Sequence, residues 1–281
     1  MTRLIIHGGA GRGTNSAARK EIAKSISDIA TRAWPTLIDA GSRAAVVHAV
    51  SLMENDPLFN AGLGSKLQSD GVARMSASLM DGDRRRFSGV VNVTGLKNPI
   101  ALCRRLLEER DRVLSGEGAN AKWRALGLEP LDVRTHRRIK EWQDKVSGST
   151  GTVGAIALDS AGNLAAATST GGRGYETVGR VSDTPTVAAN FATKEAAVTC
   201  TGVGEHIVEA GLAVRVATMI EMGLSMTEAS ERILDELNRT GCLAGYIALN
   251  KDGEWAQVSN TEAFYWCSRG DGEEEGFWSE E

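Results

Sequence analysis

The chain has 281 residues, of which 42% are hydrophobic and 24% are charged, as is typical of a folded globular protein. That length accommodates one large domain or two modest ones, with ample material for a core. The composition excludes chain-wide disorder and collagen-like sequence, and no apolar run approaches the ~18 residues of a membrane helix. The net charge of −4 argues against a general nucleic-acid binder.

The cysteines and the first residues indicate the cellular compartment. The cysteines contain no C-x-x-C pair, which is typical of reduced thiols rather than of a disulfide framework or a zinc site. The opening residues, MTRLIIHGG, carry too short an apolar run for a secretory signal. We therefore expect a cytoplasmic protein with no membrane partner. The cysteines are Cys103, Cys200, Cys242 and Cys267.

Charge is distributed unevenly between the two halves of the chain. Residues 1–151 hold 24 Lys and Arg against 16 Asp and Glu, a net charge of +8. Residues 152–281 hold 8 Lys and Arg against 20 Asp and Glu, a net charge of −12. Opposite net charges favour packing of the halves on each other, although a basic linker beside an acidic tail would produce part of this asymmetry.

The first half alternates between predicted strands and helices. Residues 4–7 predict a buried strand, and Gly8-Gly9 predicts a tight turn after it. Helical spacing covers about residues 17–34 and 42–54, and a loop follows at 56–64. The next predictions are strands within 71–94 around a turn at 81–83, and a helix from Asn98-Pro99 to about residue 111, with Asn98 as its N-cap.

The second half follows a polar, glycine-containing segment at about 114–151, which predicts a flexible linker with some helix near residues 134–142. The strands predicted after it lie at 152–158 and 164–170, as a hairpin, and at 196–201. A long helix is predicted over 205–221, and the capping box at 225–228 begins another. A hairpin at 246–258 and a frayed acidic tail complete a layered α/β or α+β domain.

The boundary at Gly151-Thr152 carries the main chemical signal. If the chain were cut there, Thr152 would carry a hydroxyl and a free α-amine on adjacent carbons. Such an amine has a pKa of roughly 7.7–8.0, so a useful fraction is neutral near pH 7 and can accept the hydroxyl proton. One residue would then supply both nucleophile and base. The alternative is that a β-branched residue simply begins a strand, and spacing alone favours that alternative.

Eight segments in a fixed order favour the catalytic interpretation. They are HGGAG (7–11), FNAG (59–62), MDG (80–82), KNP (97–99), GTVGA (151–155), ATSTGG (167–172), GRVSDTP (179–185) and CTGVGE (200–205). With these segments, from residue 4 to about 240, the chain resembles the plant-type (class 2) L-asparaginase / isoaspartyl peptidase family. That family is a branch of the N-terminal nucleophile (Ntn) hydrolases.

The resemblance implies an α+β fold, a four-layer αββα sandwich. It implies a precursor that cleaves itself into an α subunit (1–151, ending in the linker) and a β subunit (152–281). The two subunits would form one αββα domain and assemble as an (αβ)2 dimer. The implied activity is hydrolysis of β-aspartyl dipeptides and of L-asparagine to L-aspartate, with no redox or nucleotide cofactor.

The resemblance also assigns roles at the reacting centre. Thr152 matches the nucleophile, and Thr170 matches the hydroxyl that orients it. Thr201 and the backbone N–H of Gly202 match an oxyanion hole, which stabilises negative charge that appears only in the tetrahedral state. Asn60 matches a residue near the scissile Gly151–Thr152 peptide. His7, Gly8 and Gly9 match a glycine-rich segment behind the nucleophile, with a role in backbone geometry.

Substrate recognition is implied at three positions. Arg180 matches the residue that holds the substrate α-carboxylate, which a planar guanidinium can bind through two parallel bonds. Asp183, assisted by the carbonyl of Gly204, matches the partner of the substrate α-ammonium. Outside the family context, Arg180 and Asp183 would be interpreted as a surface ion pair.

The loop from Met53 to Leu63 matches one that binds a structural sodium ion in the family, mostly through backbone carbonyls. The resemblance therefore implies a sodium site rather than a catalytic metal. The implied ligands are Met53, Glu54, Asp56, Phe59, Ala61 and Leu63.

Three questions stay open from sequence. Residues 172–178, GRGYETV, depart from the usual family pattern, and we hypothesise that Glu176 or a neighbour favours a cationic leaving residue, as in β-aspartyl-arginine released from cyanophycin. A glycosylasparaginase-type amidohydrolase is an alternative, although that family usually has Asp where Gly151 stands and Asn where Gly171 stands. The other alternative is an uncleaved, non-catalytic ligand-binding homologue.

Overall fold

The structure is a computed structural model that describes residues 1–11, 13, 15–146 and 151–277. Its strands and helices are closely spaced along the chain except at two long connections, 55–74 and 171–189. In order they are β1 (Arg3–Gly11), α1 (Ser16–Ala40), α2 (Ser42–Glu54), β2 (Met75–Asp81), β3 (Arg86–Val93), α3 (Pro99–Leu106), β4 (Val113–Ser115), α4 (Gly116–Ala125), α5 (His136–Gln143), β5 (Val153–Leu158), β6 (Leu164–Thr170), β7 (Asn190–Ala192), β8 (Ala196–Gly202), α6 (Gly204–Ala210), α7 (Leu212–Glu221), α8 (Met226–Thr240), β9 (Ala244–Asn250), β10 (Trp255–Ser259), β11 (Ala263–Gly270) and β12 (Glu273–Gly276).

The described strands form two sheets. The larger has eight strands in the order β12-β11-β1-β5-β6-β2-β3-β4, antiparallel except for the β3–β4 pair. The smaller has four antiparallel strands in the order β10-β9-β8-β7. In the larger sheet β1 lies between β11 and β5, so a strand from residues 1–151 is enclosed by two strands from residues 152–281.

Three hydrophobic cores separate four layers. Strand alternation builds them, because successive side chains point to opposite faces of a sheet. Leu4 and Ile6 of β1 pack with α1 and α2, whereas Ile5 faces the second sheet. Tyr246 of β9 packs against α7 and α8, whereas Ile247 faces the first sheet. The layers are therefore helices, sheet, sheet and helices, which confirms the predicted αββα sandwich.

The first-half predictions need three corrections. Strand β1 continues through Gly8-Gly9 with a bulge between His7 and Gly9, where a tight turn was predicted. Helix α1 extends to Ala40 with Pro35 inside it. Helix α3 ends at Leu106 rather than near residue 111, and the Asn98 side chain does not cap it: that amide donates to Glu54 and its neighbours instead.

The segment 114–151 contains more regular structure than a flexible linker. Strand β4, helix α4 and helix α5 lie within 113–143, and the helix expected near residues 134–142 is α5. Ala119 and Trp123 of α4 are buried in the first core, and this packing attaches the polar segment to the rest of the domain. The expected linker residues 147–150 lie outside the described part of the chain. The α/β subunit boundary immediately before β5 stays a prediction.

The second half differs at several places. The predicted helix over 205–221 is two helices, because Gly211 takes a left-handed conformation with φ of 56° between α6 and α7. The acidic segment expected to fray supplies β12, which pairs with β11 through Arg269 and Glu274; residues 278–281 of that tail are not described. Strands β7 and β11 were not predicted. The capping box of Ser225 and Glu228 is confirmed.

Two observations bear on the cellular setting. All four cysteines are buried and free. None of the helices in the described ranges is long and apolar enough to cross a membrane.

Candidate active site

Thr152 lies at the end of the larger sheet, immediately before β5. Strand β5 pairs with β6 in a register that places Val153 opposite Ser169. Extending this antiparallel register by one residue brings Thr152 opposite Thr170. Both threonines are buried, with 5% and 3% of their surfaces exposed. The sheet therefore brings together the predicted nucleophile and the hydroxyl predicted to orient it.

Glycines allow the chain to approach the predicted cleavage point closely. Gly9 has φ of 121°, and a Cβ placed on it would lie 2.9 Å from the Cα of Gly151. On the other side, a Cβ on Gly151 would lie 3.2 Å from the Cβ of Asn60. Gly151, at the predicted cleavage point, thus lies between the bulge of β1 and Asn60. The predicted backbone role of the HGG segment is consistent with this contact.

A cavity of about 190 Å³ opens beside Thr152. Most of the predicted catalytic and substrate-binding residues line it. The lining residues are Gly151, Thr152, Thr170, Gly172, Arg173, Arg180, Ser182, Asp183, Gly202, Val203 and Gly204. Thr201 and Asn60 are not among them, although Thr201 precedes Gly202 in the chain and Asn60 Nδ2 donates to the carbonyl of Gly172.

Arg180 supplies a fixed positive charge in the cavity. Its Nε donates to one carboxylate oxygen of Glu205 at 2.7 Å, and its Nη2 donates to the other at 2.9 Å. These hydrogen bonds lower the pKa of Glu205 to about 2, so that the carboxylate stays ionised across the working range of an enzyme. Sequence reasoning missed Glu205, although it lies in the quoted CTGVGE segment.

Asp183 is buried and incompletely paired. Its Oδ2 has no hydrogen-bond partner among the described residues, and only 3% of the residue is exposed. Burial raises the pKa of its carboxyl to about 7. A Cβ on Gly204 would lie 2.7 Å from Asp183 Oδ1, so glycine is required beside the carboxylate. Such a group favours a cationic ligand, which would restore its charge and its missing hydrogen bond.

The predicted oxyanion hole begins where β8 ends. Gly202 lines the cavity with φ of 147°, and a Cβ there would lie 2.6 Å from the carbonyl oxygen of Leu243. Thr201 is fully buried, and its hydroxyl accepts a hydrogen bond from the backbone N–H of Ala10 at 3.2 Å. A hydroxyl that accepts this bond retains its own proton to donate. The oxyanion roles stay predictions.

His7 is not a candidate acid or base in this site. Its side chain is fully buried beside Gly154, where a Cβ would lie 2.2 Å from Nε2. Burial lowers the pKa of His7 to about 3, and the backbone of Thr152 only partly opposes that effect. A neutral, fixed ring fits a packing role behind Thr152.

Glu176 is not among the residues that line the cavity. It is 3% exposed and accepts hydrogen bonds from the backbone N–H groups of Arg173 and Gly174. A Cβ on Gly172 would lie 2.2 Å from its Oε1. Glu176 therefore supports the 172–174 loop, and its Oε2 also lies 3.7 Å from Nη1 of the cavity residue Arg180. The hypothesis that Glu176 or a neighbour favours a cationic leaving residue stays a prediction. Arg173, which sequence reasoning did not single out, lines the cavity together with Gly172 of the same loop.

The predicted sodium loop closes on itself. The backbone N–H of Leu63 donates to the carbonyl of Glu54 at 2.7 Å, and that of Phe59 donates to the carbonyl of Asp56 at 3.2 Å. Gly62, with φ of 51°, permits this closure. Both ends of the loop thus meet, and the sodium site stays a prediction. In the described residues no three His, Cys, Asp or Glu are grouped to hold a metal.

Comparisons with known proteins agree with this geometry. A family described as asparaginase matches residues 1–150 and 144–276. An isoaspartyl peptidase/L-asparaginase of Synechocystis is 41% identical over 274 residues, covering 90% of this chain and 83% of that protein. A Rattus norvegicus protein of the same name is 36% identical over 284 residues, covering 94% and 85%.

The similarity extends to an Escherichia coli isoaspartyl peptidase. That protein is 34% identical over 310 residues, covering 99% of this chain and 96% of the relative. Family match and relatives together span nearly the whole described fold, including both sheets and every residue that lines the cavity. The chain therefore belongs to the asparaginase family that contains the plant-type L-asparaginases and isoaspartyl peptidases.

Proposed function

We propose that this protein is a threonine hydrolase that cleaves itself before Thr152 and then hydrolyses β-aspartyl dipeptides and L-asparagine to L-aspartate. One observation carries the proposal: Thr152 and Thr170 share a cavity with Arg180 and with Asp183, whose Oδ2 has no hydrogen-bond partner among the described residues. The names of the relatives, isoaspartyl peptidase/L-asparaginase, support the same activity.

Maturation is an acyl transfer within the chain. The Thr152 hydroxyl attacks the carbonyl carbon of Gly151, and the C–N bond breaks to give an ester between Gly151 and Thr152 Oγ. Water hydrolyses that ester, leaving a carboxylate on Gly151 and a free α-amine on Thr152. The closeness of Gly9 and Asn60 to Gly151 supports this step, because a restrained peptide is held near the attacking group.

Turnover uses the new amine as a base. The amine accepts the Thr152 hydroxyl proton while Oγ attacks the side-chain carbonyl of the aspartyl group. Gly202 and Thr201 donate to the tetrahedral oxyanion, and one such donor is worth about 3–4 kcal/mol. The protonated amine then gives its proton to the leaving nitrogen. Water hydrolyses the ester that remains, releasing aspartate and restoring Thr152.

Substrate recognition follows from charge. Arg180 pairs with the α-carboxylate of the aspartyl group, and Asp183 pairs with its α-ammonium. The glycosylasparaginase alternative would require a larger residue where Gly171 stands. A Cβ at Gly171 would lie 2.5 Å from Ser65 Cβ and 2.7 Å from Asn60 Oδ1, so this chain leaves no room for an Asn side chain. That geometry favours an isoaspartyl peptidase.

The test is a substrate comparison on matured protein. L-Asparagine, β-aspartyl-leucine and an N-linked glycosylasparagine are each incubated with the two-chain form, and aspartate release is measured. We expect release from the first two and none from the third. Release from the glycosylasparagine alone would favour the amidohydrolase alternative. A chain that stays uncut and binds aspartate without hydrolysis would favour the non-catalytic alternative.

We further propose that the α and β subunits assemble as an (αβ)2 dimer in the cytoplasm. The burial of all four cysteines as free thiols supports a reducing compartment. Light scattering coupled to size exclusion measures the assembly, and a mass of one αβ unit would contradict it.

The 53–63 loop would hold a structural sodium ion through the backbone oxygens of Met53, Glu54, Asp56, Phe59, Ala61 and Leu63. Exchange of sodium chloride for tetramethylammonium chloride at equal ionic strength would lower the Tm, because an ion bound only to the native state stabilises it. Equal Tm values in the two salts would contradict the site.

A further inference from the structure

Arg173 is a cation of the cavity that the protein itself leaves poorly paired. It lines the cavity together with Thr152 and Arg180. Its Nε is buried, with no hydrogen-bond partner in the described ranges. Its Nη1 lies 4.0 Å from Glu205, whose two oxygens already accept hydrogen bonds from Arg180. A buried, unpaired donor of this kind points to a ligand that completes its bonding.

The backbone of Arg173 is fixed on both sides. Glu176 accepts from the backbone N–H of Arg173, and Asn60 Nδ2 donates to the carbonyl of Gly172 at 2.6 Å. Lys66 Nζ donates to the carbonyl of Arg173 at 3.5 Å. These contacts anchor the loop, so the guanidinium is presented to the cavity from a constrained position. The side chain itself is 41% exposed and has room to meet a ligand.

The charges of the site match a substrate with two carboxylates. Arg180 and Asp183 account for the α-carboxylate and the α-ammonium of the aspartyl group under the proposed function. Arg173 is then a cavity cation that the aspartyl group does not use. L-Asparagine has no further charge, because its leaving group is ammonia. A β-aspartyl dipeptide carries a second carboxylate, at the end of its leaving residue.

We infer that Arg173 binds the α-carboxylate of the leaving amino acid and thereby makes the enzyme select β-aspartyl dipeptides over L-asparagine. This inference rests on the proposed function. It concerns the α-carboxylate of the leaving residue, whereas the sequence-based hypothesis for this loop concerns the side chain of that residue.

The experiment compares three substrates: L-asparagine, β-aspartyl-leucine and β-aspartyl-leucine amide, which lacks the second carboxylate. In the wild-type protein we expect kcat/KM for the free acid to exceed that for the amide by about tenfold, the scale of one partly exposed charge-assisted hydrogen bond. In Arg173→Gln we expect the ratio of β-aspartyl-leucine to L-asparagine kcat/KM to fall about tenfold. The free acid and the amide should then become equivalent.

Two variants serve as comparisons. Arg173→Lys keeps the charge but loses the planar fork, so its selectivity should be intermediate. Arg104→Gln removes an exposed arginine of α3, away from this cavity, and should retain the wild-type selectivity. Formation of two bands on a denaturing gel and an unchanged Tm verify that each variant is folded and matured.

The outcomes separate this inference from the proposed function. A wild-type protein that hydrolyses none of the three substrates would overturn the proposed function, and this inference with it. Equal wild-type rates for the free acid and the amide would overturn the inference alone. So would an Arg173→Gln variant that loses activity equally on all substrates, because that result indicates a structural role for Arg173.

Discussion

Glu205 accepts two parallel hydrogen bonds from Arg180, from Nε at 2.7 Å and from Nη2 at 2.9 Å. The two residues are 25 positions apart in the chain and meet at the rim of the cavity. An arginine held in this way has few rotamers left to lose when it binds a substrate carboxylate. We therefore expect Glu205 to act as a positioning residue for Arg180.

Glu205→Gln should raise KM for L-asparagine by about tenfold with a smaller change in kcat, because the guanidinium loses its orientation before the chemical step. Steady-state kinetics measure both constants. Glu209→Gln, an exposed position on the same helix α6, is the matched control. If Glu205 instead competed with the substrate for Arg180, KM would fall, and that result would contradict the positioning role.

Asp183 predicts an acid limb in the activity profile. Its buried carboxyl has a pKa of about 7, and only the ionised form pairs with a substrate ammonium. We therefore expect kcat/KM to rise with pH through about 7, and KM to carry much of that change. Glu205 is one of the charges that raise the Asp183 pKa, so Glu205→Gln should move the limb to lower pH. A KM that is constant from pH 5.5 to 8.5, a range of about three units around this pKa, would refute the assignment.

The close approach of Gly9 to Gly151 leads us to expect that a side chain at position 9 would slow self-cleavage. In Gly9→Ala the new Cβ would lie 2.9 Å from Gly151 Cα, displacing the scissile peptide, and we expect self-cleavage to slow at least about tenfold. Gly162→Ala is the matched control, because φ is also positive there, at 84°, but no atom lies within 4 Å of the new Cβ. It should cost roughly 1 kcal/mol of stability and mature normally. Equal slowing in both would point to general backbone strain.

Substitution of Thr152 should abolish self-cleavage and hydrolysis together. Thr152→Ala removes the only hydroxyl assigned to both steps, so a denaturing gel should show one full-length band and assays should show no aspartate release. Thr152→Ser keeps a hydroxyl and should give two bands. Hydrolysis by an uncut Thr152→Ala protein would eliminate the mechanism.

Local signals in the sequence predicted much of this molecule. The capping box of Ser225 and Glu228 and the strand from Leu164 to Thr170 depend on neighbours in the chain, and both were predicted at the right positions. The four layers followed from the family resemblance rather than from periodicity. The site residues Thr152, Arg180 and Asp183 were recognisable because they lie in the compact motifs GTVGA and GRVSDTP.

The errors share a different origin, which is contact between distant segments. Gly8-Gly9 resembles a turn in sequence, but the approach of Gly151 makes it a strand bulge. The acidic residues of β12 resemble a frayed tail, yet Glu273 pairs with Arg3 and Glu274 with Arg269. The roles of Arg173 and Glu205 depend on a cavity wall that no short window of sequence contains.

The placement of β1 between β11 and β5 has a consequence for the nicked protein. Cleavage before Thr152 would break one peptide bond but no hydrogen bond between the strands of the larger sheet. The two fragments would stay hydrogen-bonded to each other along both edges of β1. Separating the fragments would expose the unpaired edges of β11 and β5 and would divide the first hydrophobic core. The two polypeptides should consequently melt in a single cooperative transition, and fragments made separately should aggregate rather than dock.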